Sequence, residues 1–321
     1  MRQADDPDYA AFLDRVRTTT CTEDDVAMLN SKVITSLFTQ ELEDATSIVT
    51  KNTLRHHLNR LQMEHFARSR GQRIYIFPAL HSRTKSTSLS MVHAEELLRL
   101  PDKGADIPFP GLFFYTPQMA TMVLTNSCTP LGLVNGARGI ATGVVVDPTG
   151  TFFQLIRCRL FTQLTIPTIA DFFYLLCTKP PVSVLFQRQK VKHSKFDDLD
   201  PKSIPVFPLE KSITVKKFSI RRKQVPMCPA FSLTDYKVQG SSFSSAVLDL
   251  HDDSSVKGKD GHHKFTSRYV QLSRLRSQCG VHLLRKISIE DLQFRPDDRL
   301  LAEMERLQNL ERSTIAAWTR L

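Results

Sequence analysis

The sequence predicts an α/β protein that carries an all-β segment in its middle third. Residues 229–287 combine short apolar runs with turns and basic side chains, and from Pro108 onward short strand patterns follow one another closely. Both ends of the chain contain segments in which apolar residues recur with helical spacing. These patterns favour a mixed lobe into which a β-rich module is inserted.

Two helices are predicted at the start of the chain. Tyr9, Phe12 and Val16 fall on one face of a helix, which indicates a packed amphipathic element. The segment Thr22–Asp25 has the form of a capping box before a second apolar run. Both helices are interpreted as structural.

A strand and a longer helix follow. Ser47–Thr50 predicts a short strand, and a helix is expected from Lys51 to about Phe66. Arg73–Phe77 alternates as a strand does, and Pro78 ends it. Ser82–Ser88 is rich in serine and threonine and predicts a linker.

The middle of the chain reads as a series of strands. Met119–Leu124, Gly139–Val146 and Phe152–Leu160 are apolar runs of strand length, and Asn135-Gly136 is a hairpin turn signal. An all-β module is therefore expected here.

The same region carries most of the positive charge. The 321 residues have a net charge of +10, and residues 117–228 contain 15 Lys and Arg against 6 Asp and Glu. Such an excess favours a polyanionic partner, although a solvated basic surface is the alternative. Phe196, Phe207 and Phe218 are interleaved with these charges, as base stacking needs, but core packing explains them as well.

Composition excludes several classes of protein. The six cysteines are scattered without a C-x-x-C pair, which argues for reduced thiols and against a zinc site or a disulfide framework. No run approaches 18 apolar residues, so no membrane-spanning segment is predicted. The acidic start of the chain does not have the pattern of a signal peptide.

The most informative stretch begins at residue 229. A short strand is expected to enter the polar turn Asp235–Gly240, and Ala246–Leu250 has the composition of a buried strand. Residues 251–264 predict an exposed loop.

Basic residues follow this loop. Tyr269–Leu272 is expected to be a strand that leads to Arg274 and Arg276. Because a partly buried arginine is costly unless it meets an anion, these two arginines near a glycine-containing polar turn predict a phosphate site.

Two motifs in this stretch resemble those of one helicase family. TDYKVQGSSFSSAVLDL (234–250) resembles motif V, and YVQLSRLRS (269–277) resembles motif VI, of the petite-integration-frequency (Pif) family, related to RecD. The Arg-Gln of MRQADDPDYAAFLDRVR (1–17) resembles motif IV, and LGLVNGARG (131–139) resembles the segment that leads into an inserted β-barrel. The tail ERLQNLERST (305–314) is similar to helicases carried by fungal Helitron transposons.

The resemblance implies the RecA-like second motor domain of a P-loop NTPase helicase, with an inserted small Src-homology-like β-barrel. Residues 1–116 and 229–321 would form the motor lobe and 117–228 the barrel. The implied activity is 5′→3′ ATP-dependent translocation on single-stranded DNA and unwinding of duplex DNA, with single-stranded and forked DNA as partners. ATP and Mg²⁺ would be held mainly by an N-terminal lobe. It also implies a nuclear location and work in DNA repair, recombination and telomere maintenance.

The same resemblance implies roles for particular residues, and none of them is a metal ligand. Arg274 and Arg2 would be catalytic at the γ-phosphate, and the nucleotide site would comprise Gln3, Gln239, Gly240 and Arg274. The DNA-binding residues would be Asn52, Thr234, Lys237 and Ser242. Read from its position alone, Asn52 is equally well explained as a helix N-cap.

The phosphate-binding half of such a motor is not found in these 321 residues. The sequence contains no G-x-x-x-x-G-K-[ST], and its Gly258-Lys259 is followed by Asp. The run Ala246–Asp249 resembles a magnesium-binding strand end but is interpreted as an ordinary one. Motif V also departs from the family where Tyr236 replaces a common histidine. A non-enzymatic single-strand DNA-binding remnant, or a gene fragment, is the alternative.

Overall fold

The structure is a computed structural model that describes residues 3–83, 91–155, 174–188, 199–200, 202–215, 218–251, 261–293 and 298–319. Its α-helices are α1 (Pro7–Thr18), α2 (Glu23–Asn30), α3 (Asn52–Ser69), α4 (Met91–Arg99), α5 (Gly261–Leu272) and α6 (Asp298–Trp318). Its strands are β1 (Thr46–Val49), β2 (Ile74–Pro78), β3 (Leu80–Arg83), β4 (Leu112–Tyr115), β5 (Met119–Val123), β6 (Arg138–Val145), β7 (Phe152–Leu155), β8 (Tyr174–Cys177), β9 (Ser183–Arg188), β10 (Ser203–Val206), β11 (Leu209–Val215), β12 (Phe218–Gln224), β13 (Met227–Pro229), β14 (Ser232–Thr234), β15 (Ala246–Leu248) and β16 (Val281–Leu283).

The chain divides into two compact units. The first unit comprises Met1–Lys51 and Leu233–Leu321, and the second comprises Asn52–Ser232. We expected the boundary of the inserted module at residue 117, but the unit that contains 117–228 also takes in residues 52–116. The reason is strand pairing: β2 pairs with β8 in parallel and with β4 in antiparallel fashion, so segments on both sides of residue 117 share one sheet.

The first unit is built on a four-stranded sheet with the order β14-β1-β15-β16. β1 pairs in parallel with β15, and β15 pairs in parallel with β16. Ala246, Val247 and Leu248 of β15 are almost completely buried, as expected for a parallel strand covered on both faces. The predicted strands at 47–50 and 246–250 are thus confirmed, within one or two residues of the expected ends.

The first two helices are also confirmed. Tyr9, Phe12 and Val16 of α1 are buried. At the start of α2 the Thr22 backbone N–H donates to Asp25 Oδ2 at 3.0 Å, and the Asp25 N–H donates to Thr22 Oγ1, which completes the capping box. Arg15 joins the two helices through a bond of 2.6 Å to Asp25, and this hydrogen bond lowers the pKa of the Asp25 carboxyl.

The strand predicted at Tyr269–Leu272 is wrong, because these residues form the last turn of α5. Their apolar members continue a spacing of three and four residues from Phe265, which is the period of a helix. A run of four residues was too short to distinguish the two periods. Residues 261–264, expected in an exposed loop, are the first turn of the same helix, and 252–260 lie outside the described residues.

Leu300, Met304, Leu307 and Leu310 recur with helical spacing after Asp297, which predicts a last helix that is capped by Asp297 and packed through this face. The structure contradicts the packing. α6 has no buried residue along its described length, and Leu307 and Leu310 are 51% and 50% exposed. Met304 and Leu300 are only partly covered. Asp297, expected as its cap, lies outside the described residues.

The second unit is mostly β, as predicted. A five-stranded antiparallel sheet has the order β10-β9-β6-β5-β13, a mixed sheet has the order β4-β2-β8-β7, and a three-stranded sheet has the order β11-β12-β3. The expected strands at 73–77, 119–124 and 139–146 are confirmed as β2, β5 and β6. The predicted strand at 152–160 is described only as far as Leu155, and the expected linker at 82–88 begins inside β3.

One hydrophobic core joins the parts of this unit. Met63 and Ala67 of α3 pack in the same cluster as Phe77, Val184 and Met227. All five side chains are buried. The helix predicted from Lys51 is confirmed and covers residues 52–69, and its burial explains why it belongs with the strands rather than with the first unit.

A buried arginine connects β12 to the segment after α4. Arg222 is fully buried, and its guanidinium donates to the carbonyl oxygens of Leu97 at 2.5 Å, Phe109 at 2.9 Å and Leu100 at 3.2 Å. Its Nε donates to His81 Nε2 at 2.9 Å. Burial lowers the pKa of Arg222 to about 10. Arg222 is one of the 15 basic residues of 117–228, but it stabilises the core and is not available to a polyanion.

Five cysteines lie among the described residues. Cys21, Cys177 and Cys228 are buried thiols, whereas Cys128 is partly buried and Cys279 is exposed. Among the residues that the structure describes, every helix is too short or too polar to span a lipid bilayer.

Candidate functional site

The turn that follows β14 is a short 3₁₀ helix, Asp235–Val238. The Asp235 side chain is buried and accepts a hydrogen bond of 2.9 Å from the Tyr236 backbone N–H, while Val238 is fully buried. These two inward contacts leave the residues between them at the surface: Tyr236 is 59% exposed and Lys237 is half-buried. The turn therefore presents an aromatic ring and a cation side by side.

The end of this turn requires a glycine. Gly240 has φ +77°, in the left-handed region that favours glycine, and open space lies where a Cβ would be. Gln239 beside it is exposed, and the Ser241 N–H donates to the Val238 carbonyl at 3.0 Å. Ser242 is exposed as well. The predicted nucleotide residues Gln239 and Gly240 and the predicted DNA residue Ser242 thus share one exposed loop.

Arg274 lies immediately beyond the end of α5. Its Nε donates to the Val270 carbonyl at 2.9 Å and one terminal nitrogen donates to Ser273 Oγ at 2.8 Å. Val270 lies in the last turn of α5, and Ser273 is the first residue after this helix. The half-buried guanidinium is thus held against its own helix end in this structure.

The two motifs are joined directly. The Phe243 N–H donates to the Arg274 carbonyl at 3.0 Å, and Phe243 forms a parallel bridge with Leu275. α5 also contacts the 3₁₀ turn. A Cβ on Gly280 would lie 1.9 Å from the Ser244 carbonyl oxygen, so this glycine permits the two loops to approach. The structure therefore brings the motif V turn and the motif VI arginine into one site.

The N-terminal segment is attached to the same loop. Gln3 Nε2 donates to the Leu275 carbonyl at 2.7 Å and lies 3.4 Å from the Ser273 carbonyl. Asp6 accepts from the Gln278 N–H at 2.8 Å, and the buried Tyr9 hydroxyl donates to the Leu272 carbonyl at 2.9 Å. Gln3 thus contacts the backbone of the residues on either side of Arg274. Arg2 lies outside the described residues.

Sequence reasoning did not identify the roles of Asp6 and Tyr9. Asp5 and Asp6 have the composition of a helix start, and Tyr9 that of a core residue. Asp6 does cap α1, since one of its carboxylate oxygens accepts from the Tyr9 N–H at 2.9 Å. Its other oxygen positions the motif VI loop, and no local pattern could have shown this contact across more than 270 residues.

No metal site is found within the described part of the chain, where no three His, Cys, Asp or Glu side chains converge. Asp249, at the end of β15, is 2% exposed and forms a two-point ion pair with Arg285 at 2.8 and 3.0 Å. Its carboxylate is therefore paired with the Arg285 guanidinium. This agrees with its interpretation as an ordinary strand end.

Thr234, the remaining predicted DNA residue of the first unit, is 7% exposed and precedes the turn. Asn52 belongs to the second unit, where it is the first residue of α3 and its Oδ1 accepts from Arg55 Nε at 3.1 Å. It is exposed. The structure thus gives Asn52 a local contact within its own helix.

Asn59 follows Asn52 by seven residues in α3, and the two resemble the Asn-x(6)-Asn pair of the Pif family. It is buried, its Nδ2 donates to the Ser232 carbonyl and its Oδ1 accepts from the Ser232 N–H, both at 2.8 Å. The side-chain amide therefore pairs with the backbone as a neighbouring strand would. Ser232 begins β14, which leads into the turn that carries Lys237.

Comparisons with known proteins identify the fold. No protein-family model matches the sequence, and no curated protein matches it. Solved structures do match. The Pif1 helicase of Candida albicans matches with a TM-score of 0.60 and 16% identity, and the match covers 96% of this chain and 59% of that one. Bacteroides Pif1 bound to single-stranded DNA matches with a TM-score of 0.58 and 15% identity, over 97% of this chain and 55% of that one. The chain has the fold of the C-terminal half of a Pif1 helicase.

A further Pif1 structure, of two coordinating helicases at forked double-stranded DNA, gives a TM-score of 0.57 with 16% identity, over 97% of this chain and 54% of that one. The family expected from the motifs is therefore the one that the fold matches. The chain spans somewhat more than half the length of the Pif1 structures it resembles.

Proposed function

We propose that this chain is the C-terminal motor lobe of a 5′→3′ ATP-dependent DNA helicase. The observation that carries the proposal is the joining of the turn 235–240 to the loop after α5 through the Phe243–Arg274 hydrogen bond, in a fold shared with Pif1 helicases. One loop of a motor must respond to nucleotide and the other to DNA, and a direct bond between them couples the two. Roles in DNA repair, recombination and telomere maintenance in the nucleus are part of the same proposal.

In this proposal the nucleotide is held mainly by an N-terminal lobe, together with Mg²⁺. Arg274 and Arg2 would reach the γ-phosphate, and Gln3, Gln239 and Gly240 would shape the adjoining surface. Since Arg274 is held by acceptors of its own helix end, it would exchange those bonds for phosphate oxygens, which accept more strongly. An arginine in this role contributes on the order of 10³–10⁵ in rate in phosphoryl transfer.

Single-stranded and forked DNA would bind the other side of the same turn. Lys237 supplies charge for a phosphate, and the exposed Tyr236 ring offers a face for a base. Thr234, Ser242 and Asn52 are the further proposed contacts. Residues 117–228, proposed as the Src-homology-like barrel, supply the basic surface, and Phe207 there is 56% exposed, which favours stacking over core packing for that residue. Phe196 and the side chain of Phe218 lie outside the described residues.

The second candidate is a single-strand DNA-binding remnant without enzymatic activity. It is favoured by the absence of a G-x-x-x-x-G-K-[ST] sequence from these 321 residues. Both candidates predict that the purified chain alone hydrolyses ATP at no more than the background rate, since nothing in it orients the β- and γ-phosphates. DNA-stimulated ATPase activity of the chain alone, abolished by Arg274→Ala, would contradict both.

The experiment that separates the two candidates uses the full-length protein. Steady-state ATPase rates with and without oligo(dT) are compared for wild type and Arg274→Lys, with oligo(dT) affinity measured on the same preparations. The motor proposal expects turnover to fall strongly while affinity is retained, because lysine keeps the charge but loses the planar two-point donor geometry. Equal turnover of the two proteins would refute the motor proposal and leave the DNA-binding one.

A further inference from the structure

The motif VI loop, residues 273–278, is held by two side chains that have no part in the proposed contacts with nucleotide or DNA. The loop follows the end of α5, and the last carbonyl groups of an α-helix have no partner within the helix. Tyr9 and Asp6, which lie in and just before α1, supply hydrogen-bond partners at the two ends of the loop. The position of the loop therefore depends on α1.

Tyr9 holds the end of α5. Its hydroxyl donates to the carbonyl of Leu272, the last residue of this helix, at 2.9 Å. The Tyr9 ring is 1% exposed and stacks on Phe12, with 5.8 Å between the ring centres. Burial raises the pKa of the Tyr9 hydroxyl, and the Asp6 charge raises it further, so the hydroxyl keeps its proton at neutral pH. A buried ring that is packed in place thus donates to the residue from which the loop starts.

Asp6 holds the far end of the loop. One of its carboxylate oxygens accepts from the Tyr9 N–H at 2.9 Å and so caps α1, and the other accepts from the Gln278 N–H at 2.8 Å. Hydrogen bonds from a backbone N–H to an ionised carboxylate are stronger than those between neutral groups. Since each oxygen has its own N–H, one side chain joins the start of α1 to the last residue of the motif VI loop.

The backbone between these two ends is also fixed, whereas the Arg274 side chain bonds locally. Gln3 donates to the Leu275 carbonyl at 2.7 Å, and the Arg274 carbonyl accepts from the Phe243 N–H at 3.0 Å. The Arg274 guanidinium donates to acceptors at the end of its own helix. Because a guanidinium can reach only as far as its side chain extends from the backbone, the position of the loop decides which phosphate oxygens it can meet.

We propose that Asp6 and Tyr9 are positioning residues for Arg274, which hold the two ends of the motif VI loop so that the guanidinium meets the γ-phosphate in the transition state. This inference rests on the proposed motor function and adds two residues to it. A misplacement of about 1 Å at a reacting group can cost a factor of about 100 in rate. Loss of either hydrogen bond should therefore lower kcat, while KM for ATP and affinity for oligo(dT) stay nearly constant.

The test measures steady-state ATPase rates of the full-length protein with saturating oligo(dT). Tyr9→Phe deletes only the hydroxyl. Asp6→Ser retains a good N-cap for α1 but is too short to accept from Gln278 as well. Each variant should lower kcat by about three- to tenfold and the double variant by about 10- to 100-fold, with KM for ATP within about twofold of wild type.

Two control variants separate positioning from a general loss of stability. Thr22→Ala removes the N-cap of α2, and Tyr115→Phe removes a hydroxyl from a tyrosine of the second unit that is 3% exposed. Both should retain the wild-type kcat at a temperature at which circular dichroism shows folded protein. An equal fall of kcat in Thr22→Ala and Asp6→Ser would overturn the positioning role.

Arg274→Ala distinguishes failure of this inference from failure of the proposed function. If Tyr9 acts through Arg274, Tyr9→Phe should have no further effect on kcat when Arg274 is already alanine. Wild-type kcat in the double variant Asp6→Ser/Tyr9→Phe, beside an inactive Arg274→Ala, would overturn the positioning role and leave the motor proposal intact. Wild-type kcat in Arg274→Ala would refute the motor proposal and the positioning role together.

Hydrogen exchange tests the contact in the chain itself, without an enzymatic assay. The Gln278 amide should exchange faster in Asp6→Ser than in wild type, by a factor on the order of ten, because it has lost its acceptor. Thr22→Ala should leave this exchange unchanged. Wild-type exchange of the Gln278 amide in Asp6→Ser would overturn the proposal whatever the ATPase rates are.

Discussion

The Asn59 side chain makes two buried hydrogen bonds to one residue, and its removal should destabilise the second unit. Asn59→Ala leaves the N–H and the carbonyl of Ser232 without their partners at a position that is completely buried. An unsatisfied buried polar group costs about 1–3 kcal/mol, so the loss of two should cost about 2–6 kcal/mol. That is a large fraction of the 5–15 kcal/mol or so by which a native domain is stable.

Urea unfolding followed by far-ultraviolet circular dichroism measures this loss as a shift in midpoint at constant slope. Asn52→Ala is the matched control, because it deletes the same side chain from an exposed position on the same helix. The control removes the single partly buried hydrogen bond from Arg55 Nε and should cost about 1 kcal/mol, less than Asn59→Ala. Asn59→Asp should also destabilise, since it retains the acceptor for the Ser232 N–H but places an oxygen against the Ser232 carbonyl.

Equal midpoints for Asn59→Ala and Asn52→Ala would refute the reasoning. A loss of oligo(dT) affinity in Asn59→Ala with no loss of stability would instead mean that the family's asparagine pair contacts DNA. If Asn59→Ala lowers both stability and DNA affinity, the loss of affinity is explained by the fold, because Ser232 begins the strand that leads to the turn with Lys237.

Three further outcomes are expected. Lys237→Ala should weaken oligo(dT) binding and thus lower the DNA-stimulated ATPase rate of the full-length protein, and a steady-state assay with an oligo(dT) titration would show it. Binding of oligo(dT) by the chain should weaken with salt, with log K falling by about 0.7 per phosphate neutralised per unit of log salt; a slope near zero would contradict this. Burial lowers the pKa of His81 to about 4, with the Arg222 cation adding to the shift. Between about pH 4 and 6.5 unfolded His81 therefore binds more protons than folded His81, so stability should fall as the pH falls through this window. His81→Gln retains an acceptor for Arg222 and should reduce this pH dependence. Unfolding midpoints measured across the same pH range test it.

Local patterns predicted the elements whose signal lies within a few residues. The capping box at Thr22, the helix that starts near Asn52 and the buried strand at Ala246 are all confirmed, because capping and apolar periodicity are properties of neighbouring residues. The family was predicted from two motifs in the right order. The fold match to Pif1 helicases supports that prediction at an identity of about 16%.

Errors arose where a pattern was short or its partner was distant. Tyr269–Leu272 belongs to a helix because α5 continues the spacing that four residues could not establish, and α6 exposes the apolar face that its sequence marks for packing. Residues 52–116 group with the following strands because β2 pairs with β8, a pairing across about 100 residues of chain.

What the sequence by itself determined was the chemistry of the candidate site: a lysine and a glycine in one turn and an arginine in the second motif. Their proximity was decided only by the tertiary structure, through the bond from Phe243 to Arg274 and the attachment of Gln3 to the same loop. The tertiary structure also decided that Arg222 and Asp249 serve the fold rather than a ligand. A side chain's type states which bonds it can form, but burial and the nearest partner decide which bonds it does form, and both depend on residues far away in the chain.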